Sequence, residues 1–496
     1  MTIPSGLPCL LGALSAIFAA CAMSPRGDRS AQSPPNIVFV MVDDLGWMDL
    51  RVQGNSDFHT PNLDRLAGEG MRFTDAYAAA PVCSPTRAAC VTGQSPARLA
   101  ITNHIPDRWN FYDRITTDGG APSTPTGRTL GPAKSRNELP EDCRTIAHRL
   151  RESGYRTAFV GKWHLAGADW RTSDPRFFPE SFGFDVNVAG NAMGGPGTFF
   201  GPIEMPNYRK GARGDYLPDL LAQEAIDQLA AAKAAATPLF LCFWTYTVHY
   251  PIEAPADLHA RHAVAVGDGE PDMPTRYRAM VEGMDRAVGR VLRALDELEL
   301  ASNTLVVFTS DNGQMPGASI ADPLRGAKGH LHEGGIRVPL IVRWPGRVPA
   351  GVAESTPVVS MDFVPTFLAA AGRSQESADF DGVDLSPILF RAGELGRDAI
   401  FWHFPHYAYH GRNHMGGAVR CGRWKYIHHY DDEHHELYDL HADVGESRNL
   451  HASEPARAAV LRERLFDWLA ETGAAMPRPY DEIPADELPG TKRTTR

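Results

Sequence analysis

Five short apolar runs, each stopping abruptly at polar residues, set the rhythm of this chain: NIVFVMVDD (36–44), YRTAFVGKWH (155–164), PLFLCFWTYTVHY (238–250), TLVVFTSDN (304–312) and PLIVRW (339–344). Their hydrophobicity is continuous, not alternating, as a parallel strand covered on both faces requires. Between them the spacing turns helical. TPNLDRLAGEG offers Thr60 as N-cap and Pro61 as first helical residue, and 274–300 aligns Met280, Met284, Val288, Val291, Leu292 and Leu295 on one stripe. Strands alternating with helices predict an α/β fold, a large mostly parallel central sheet flanked by helices. Ligands bind such sheets beyond the carboxyl ends of the strands, where these runs place Asp43, Asp44, Lys162, His164, His249, Asp311 and Asn312.

From about residue 396 the pattern changes to short aromatic and His-rich strands (AIFWHFPHY, GAVRCGRWKYIHHY, HHELYDL), followed by a helix at 454–471. That predicts a smaller C-terminal α+β subdomain. The expected division is a catalytic domain at 34–395, the subdomain at 396–480 and a polar tail at 481–496. The Gly- and Pro-rich stretches within 110–140 and 186–218 read as long surface loops.

Composition narrows the function. The chain has 496 residues, with 60 acidic against 49 basic side chains, a net charge of −11 and no long basic run, which argues against nucleic acid as partner. Residues 7–23 are too short for a comfortable membrane span and read as the h-region of a signal peptide or lipoprotein signal over 1–23, with Cys21 as a candidate lipid-bearing residue; export to the periplasm, outer membrane or medium is expected. Seven cysteines without a CxxC pair indicate neither a zinc site nor a dense disulfide framework, and Cys242 reads as a buried small hydrophobe.

Cys83 reads otherwise. In Cys83-Ser84-Pro85-Thr86-Arg87, Ser84 and Pro85 suit an N-cap and first helical residue, so free backbone N–H groups, a helix dipole and the Arg87 guanidinium converge on one tetrahedral anion. This C-x-P-x-R resembles the recognition sequence of type I sulfatases, in which the cysteine is oxidised to formylglycine. The chain also resembles that family at NIVFVMVDD, GKWH (161–164), HYP (249–251), SDNG (310–313) and KGHLHEGGIRVP (328–339), in the family's order. Ala166 stands where the family often has Gly, which bears on the path of that loop. The resemblance implies an alkaline-phosphatase-like fold and a sulfuric ester hydrolase.

Asp43 and Asp44 with Asp311 and Asn312 form an all-oxygen set suited to a hard cation. The resemblance implies Ca²⁺, with Mg²⁺ left open and position 83 completing the shell as formylglycine. Lys162 and Lys328 are placed to contact sulfate. By resemblance His249 is the general acid and His164 orients the formylglycine hydroxyls. A formylglycine-generating maturation enzyme is the implied partner. A phosphatase or phosphodiesterase of the same superfamily, and a non-catalytic carbohydrate-binding lipoprotein, are the competing readings. For the substrate, FWHFPHYAYHGRNH offers His403 and His406 among aromatics as sugar contacts; resemblance to the family's C-terminal subdomain implies that this segment borders the pocket mouth, and resemblance to carbohydrate sulfatases implies a sulfated saccharide. His428, His429, His434 and His435 read as a charged hairpin tip.

Overall fold

The computed structural model describes residues 33–106, 130–167, 174–263, 272–319, 322–374, 380–408 and 413–483. The leader, Cys21, most of the 110–140 stretch and most of the polar tail therefore lie outside the described residues. Among those described, no helix is long and apolar enough to cross a membrane.

The five apolar runs become strands Asn36–Val42, Arg156–Gly161, Leu239–Trp244, Thr304–Ser310 and Leu340–Arg343. They join three short strands in an eight-stranded sheet with the order Val352–Glu354, Met71–Phe73, Leu340–Arg343, Thr304–Ser310, Asn36–Val42, Leu239–Trp244, Arg156–Gly161, Val186–Val188. Continuous hydrophobicity has the expected cause, because each central strand feeds two cores. Val38, Val40 and Val42 face one, while Ile37, Phe39 and Met41 face the other. The first core is covered by helices Pro61–Glu69, Leu217–Ala235 and Met273–Glu297, the second by Cys83–Thr92, Ile146–Glu152 and Phe363–Ala370.

Leu340–Arg343 departs from the parallel reading, since it pairs antiparallel with both Thr304–Ser310 and Met71–Phe73. The chain leaves Ser310 at the carboxyl end of the sheet, and Asp311, Lys328 and helix Glu333–Ile336 still lie at that end, so the next strand has to run back. Two-sided burial sets hydrophobicity and says nothing of direction. Residues 186–218 also differ from the expected surface loop. They contain an edge strand and the hairpin Ile203–Met205/Tyr208–Lys210, with Ala189, Phe199 and Ile203 buried.

The C-terminal part is an antiparallel sheet of Ala399–Phe404, Gly416–Cys421, Trp424–His429 and Glu436–Asp439, with helix Pro455–Glu471 packed on it. One face builds its own core with that helix through Val419, Tyr426, Leu437 and Leu465. The other shares a core with Tyr77, Ala89 and Ile336 of the large sheet's surroundings through Trp402, Phe404 and Ile427.

Candidate active site

Four strands of the large sheet end at the same edge, and each delivers polar side chains there. After Val42 the chain turns sharply, with Asp44 in the left-handed region at φ 61°, a conformation an aspartate tolerates better than most residues. Asp44 N–H donates to Asp311 Oδ1 at 3.1 Å, and Asp43 exchanges backbone hydrogen bonds with Thr247 and Val248. Asp43, Asp44, Asp311 and Asn312 are all fully buried.

Helix Cys83–Thr92 begins at Cys83 with Val82 as N-cap, two residues earlier than Ser84 and Pro85 suggested. Ser84 is otherwise occupied. Its hydroxyl donates to the His164 carbonyl and accepts from Ile105 N–H, both at 3.0 Å, so the helix start is tied to the end of strand Arg156–Gly161. The Cys83 sulfur and carboxylate oxygens of Asp43 and Asp44 lie within 4.8 Å of one another. Arg87 sends Nε and Nη2 to Asp311 Oδ2 at 2.9 and 2.7 Å and Nη1 to the Lys162 carbonyl at 2.7 Å. Its charge is therefore spent on a carboxylate before it reaches any anion.

The two lysines behave likewise. Lys162 Nζ donates to Asp43 at 2.6 Å, and Lys328 Nζ reaches Asp44 at 2.6 and 2.9 Å and Cys83 Sγ at 3.3 Å. Three carboxylates and three cations thus share a buried space, where each charge depends on its partners. Burial, with Asp311 and Asp44, pushes the Asp43 carboxyl up to about 8 despite Lys162 and Arg87. Asp44 goes the other way: against the cost of burial, Lys328, His249 and Lys162 hold it well below the usual carboxylate range. Burial raises the Cys83 thiol, with the two lysines opposing, so the sulfur is held as a poorly nucleophilic thiol.

The donor chemistry fits a hard divalent cation. Asp43 Oδ1 and Asn312 Oδ1 are buried and accept no hydrogen bond. Buried oxygens seldom go unpaired without a ligand to satisfy them. Carboxylate oxygens of Asp43 and Asp44 cluster within 4.8 Å of one another and of the Cys83 sulfur, and buried oxygen donors of this kind are what Ca²⁺ and Mg²⁺ prefer.

Two histidines flank this centre. His164, at φ 57°, donates from Nε2 to the Ile105 carbonyl, which leaves Nδ1 as a buried acceptor with no partner. Burial, with Lys162, His104 and Arg87, pushes its pKa well below the usual value, so it is neutral. His249 donates from Nδ1 to the Tyr250 carbonyl at 2.8 Å and turns Nε2 toward Asp44, 3.8 Å away. Its side chain is 24% exposed, so the site opens to solvent at this residue. Burial, with Lys328 and Lys162 against Asp44, brings its pKa down to about 3.

The wall over both rings was not legible beforehand. A Cβ on Gly194 would stand 2.8 Å from His164 Nε2, and one on Gly195 would stand 2.8 Å from His249 Nδ1. Only a bare backbone fits against each ring, so the glycine pair in NAMGGPG was the available signal. The Ala166 departure is absorbed locally, since Ala166 forms a bridge with Glu138 and Gly167 takes the left-handed turn at φ 94°.

The structure thus brings together ten predicted residues and corrects two. His403 is 3% exposed and has both ring nitrogens engaged, Nδ1 with Tyr430 Oη and Nε2 with the Ala475 carbonyl. His406 is 1% exposed and bonded to Thr102 Oγ1 at 2.8 Å. Neither presents a face to a sugar, because strand Ala399–Phe404 and the turn after it lie inside the molecule. The hairpin histidines are partly packed, with His428 and His435 stacked at 4.0 Å and His429 bonded to Glu436.

Residues 35–373 match the family described as Sulfatase, and residues 327–472 match one described as N-sulphoglucosamine sulphohydrolase, C-terminal. The chain is 34% identical to N-acetylgalactosamine-6-sulfatase of Canis lupus familiaris over 429 residues, 80% of this chain and 72% of that one. It is 32% identical to arylsulfatase A of Homo sapiens, covering 84% and 83% of the two chains. Among solved structures, Ps i-CgsB in complex with k-i-k-neocarrahexaose aligns with a TM-score of 0.73 and 27% identity over 89% of this chain and 94% of that one.

Proposed function

The chain belongs to the sulfatase family and is a sulfuric ester hydrolase, and we propose that it releases sulfate from a sulfated saccharide at a centre built on Cys83. The observation that carries this reading is the placement of Cys83. Its sulfur begins a helix, 3.3 Å from the Lys328 ammonium and within one small cluster with Asp43 and Asp44. The saccharide is supported by the relatives, whose names include an N-acetylgalactosamine sulfatase, and by the neocarrahexaose bound to a structural neighbour.

A thiol at this position is a poor catalyst, because its sulfated form would be stable. Oxidised to formylglycine by a separate maturation enzyme, position 83 would supply an aldehyde hydrate, one hydroxyl attacking sulfur and the other re-forming the carbonyl to release sulfate. A divalent cation, Ca²⁺ or Mg²⁺, held by Asp43, Asp44, Asp311 and Asn312 would supply positive charge to that hydroxyl and to the sulfuryl oxygens.

The chain's own residues do the rest. The unpaired Nδ1 of His164 is an acceptor suited to orienting a hydroxyl. Lys162 and Lys328 are the ammonium groups nearest the centre and neutralise charge on the sulfuryl oxygens. Arg87 fixes Asp311 and the Lys162 backbone together. His249, whose pKa burial holds low, gains a proton once an anionic sulfate ester sits beside it and passes that proton from Nε2 to the departing sugar oxygen. Export through the leader at 1–23, with or without a lipid at Cys21, completes the proposal; N-terminal sequencing of the mature protein tests it.

The test of the chemistry uses two leaving groups. Sulfate release by the matured wild type from position-defined sugar sulfates and from nitrophenyl sulfate is expected, and Cys83→Ala abolishes both. His249→Ala slows the sugar ester about 100-fold more than the nitrophenyl ester, whose leaving group barely needs a proton. Hydrolysis of phosphate esters alone, or equal losses on both sulfates, would overturn the assignment.

A further inference from the structure

Lys328 sits on a loop, and a lysine with four rotatable bonds is a precise charge only if its backbone is fixed. Gln314 and Pro81 carbonyls accept from the backbone N–H groups of Lys328 and Gly329 at 2.9 and 2.8 Å. The two flanks of the loop are closed on each other by Gly334 N–H donating to the Arg325 carbonyl at 2.7 Å. What holds those flanks comes from the other sheet. Glu436, on the C-terminal strand Glu436–Asp439, is 3% exposed. Its Oε2 accepts from Arg325 Nη1 at 3.0 Å and from His332 Nε2 at 3.0 Å, three residues before and four after Lys328. Its Oε1 accepts from His429 Nε2 at 2.8 Å, and Tyr438 Oη donates to Oε2 as well.

We propose that Glu436 is a positioning residue for the hydrolysis, a carboxylate clamp that gathers both flanks of the 325–334 loop and thereby holds the Lys328 ammonium on Asp44 and Cys83. One oxygen serving both flanks makes the clamp sensitive to charge and not only to shape. A glutamine keeps the volume but offers one neutral carbonyl oxygen: turned toward the flanks it accepts from Arg325, His332 and Tyr438 without the carboxylate's charge, which weakens each bond, and turned the other way it releases both flanks. A merely structural glutamate would cost stability alike with or without Lys328. A clamp acts through Lys328 and loses its effect when that side chain is gone.

The inference rests on the sulfatase reading, and the experiment separates the two. Turnover of nitrophenyl sulfate by the matured wild type tests that reading. The clamp is tested by a double-mutant cycle of Glu436→Gln and Lys328→Ala on the same ester, together with the crystal structure of Glu436→Gln, which needs no activity. Glu436→Gln is expected to lower kcat by about 10- to 100-fold, with KM moving less, while the double variant is no slower than Lys328→Ala alone. The crystal structure is expected to show Lys328 Nζ withdrawn from Asp44. Arg325→Lys and His332→Gln, each loosening one flank, give smaller losses in the same direction and serve if Glu436→Gln fails to fold. A kcat unchanged in Glu436→Gln, effects that multiply across the cycle, or Lys328 undisplaced in the crystal would overturn the clamp.

Discussion

Among the described residues two clusters of charge, buried but for the partly exposed Asp75, each hold three acids and three bases, and they differ in what they leave open. At the strand ends Asp43, Asp44 and Asp311 face Lys162, Lys328 and Arg87. Beneath the C-terminal sheet Glu333, Glu446 and Asp75 face Lys425, Arg337 and Arg420. The difference is in what remains unpaired. The strand-end cluster leaves Asp43 Oδ1, Asn312 Oδ1 and the nearby His164 Nδ1 without a hydrogen bond, Asp43 Oδ1 keeping only a long ion pair of 3.8 Å with Arg87, and it opens to solvent at His249. In the other cluster Glu446 Oε1, the acceptor with no well-aligned hydrogen bond, still lies 2.8 Å from Lys425, and Tyr77 Oη adds a donor to Glu333. A closed set of ion pairs fixes one sheet against the other. An open set, equal in charge, keeps acceptors in reserve for a cation and a substrate.

The contrast breaks most visibly under chelation. Exhaustive removal of divalent cations, or Asp311→Ala, is expected to cut sulfate release about 1,000-fold or more, because the strand-end acceptors then have nothing to hold. A rate untouched by chelation would show that the open cluster is complete as it stands.

Breaking the closed cluster has a smaller effect of a different kind. Lys425→Met strands Glu333 and Glu446, whose ammonium partner is 2.8 Å from each, and is expected to lower unfolding free energy by about 3–5 kcal/mol in urea titration. Activity per folded molecule changes little beside that loss. Unaltered stability would mean that the pairs contribute only geometry.

The smallest effect sharpens the same point through pH. Burial, with Glu333, pushes Glu446 up to about 7 against Lys425, from 4.5 in an exposed glutamate. The folded state therefore keeps a proton that the unfolded chain has lost, so this group's contribution is fully favourable below pH 4.5 and declines as pH rises to about 7. Glu446→Gln is expected to flatten that decline in thermal melts between pH 5 and 7. An unchanged slope would put the titration elsewhere.

How legible each cluster was follows from where its members sit. The strand-end residues could be read because each terminates an apolar run, so a single rule about carboxyl ends gathered Asp43, Lys162, His249 and Asp311 from four distant stretches. Glu333, Lys425 and Glu446 escaped, since each is a charge within otherwise ordinary segments and nothing in hydrophobic periodicity pairs residues 92 positions apart. Direction escaped for Leu340–Arg343 for a similar reason, burial being blind to it. His403 and His406 misled because an aromatic strand buried on both faces has the composition of a binding platform. The three-residue edge strands are too short to leave a pattern.

The residue-by-residue pairing of Asn36–Val42 with Thr304–Ser310, and with Leu239–Trp244 on its other side, also governs which lengths of chain evolution is free to vary. Deleting one residue from Asn36–Val42 would draw Asp43 back by about 3.3 Å and turn the side chains that follow the gap to the opposite face. Related chains that differ in length are therefore expected to place insertions and deletions outside these strands and to keep the strands at constant length from first residue to last.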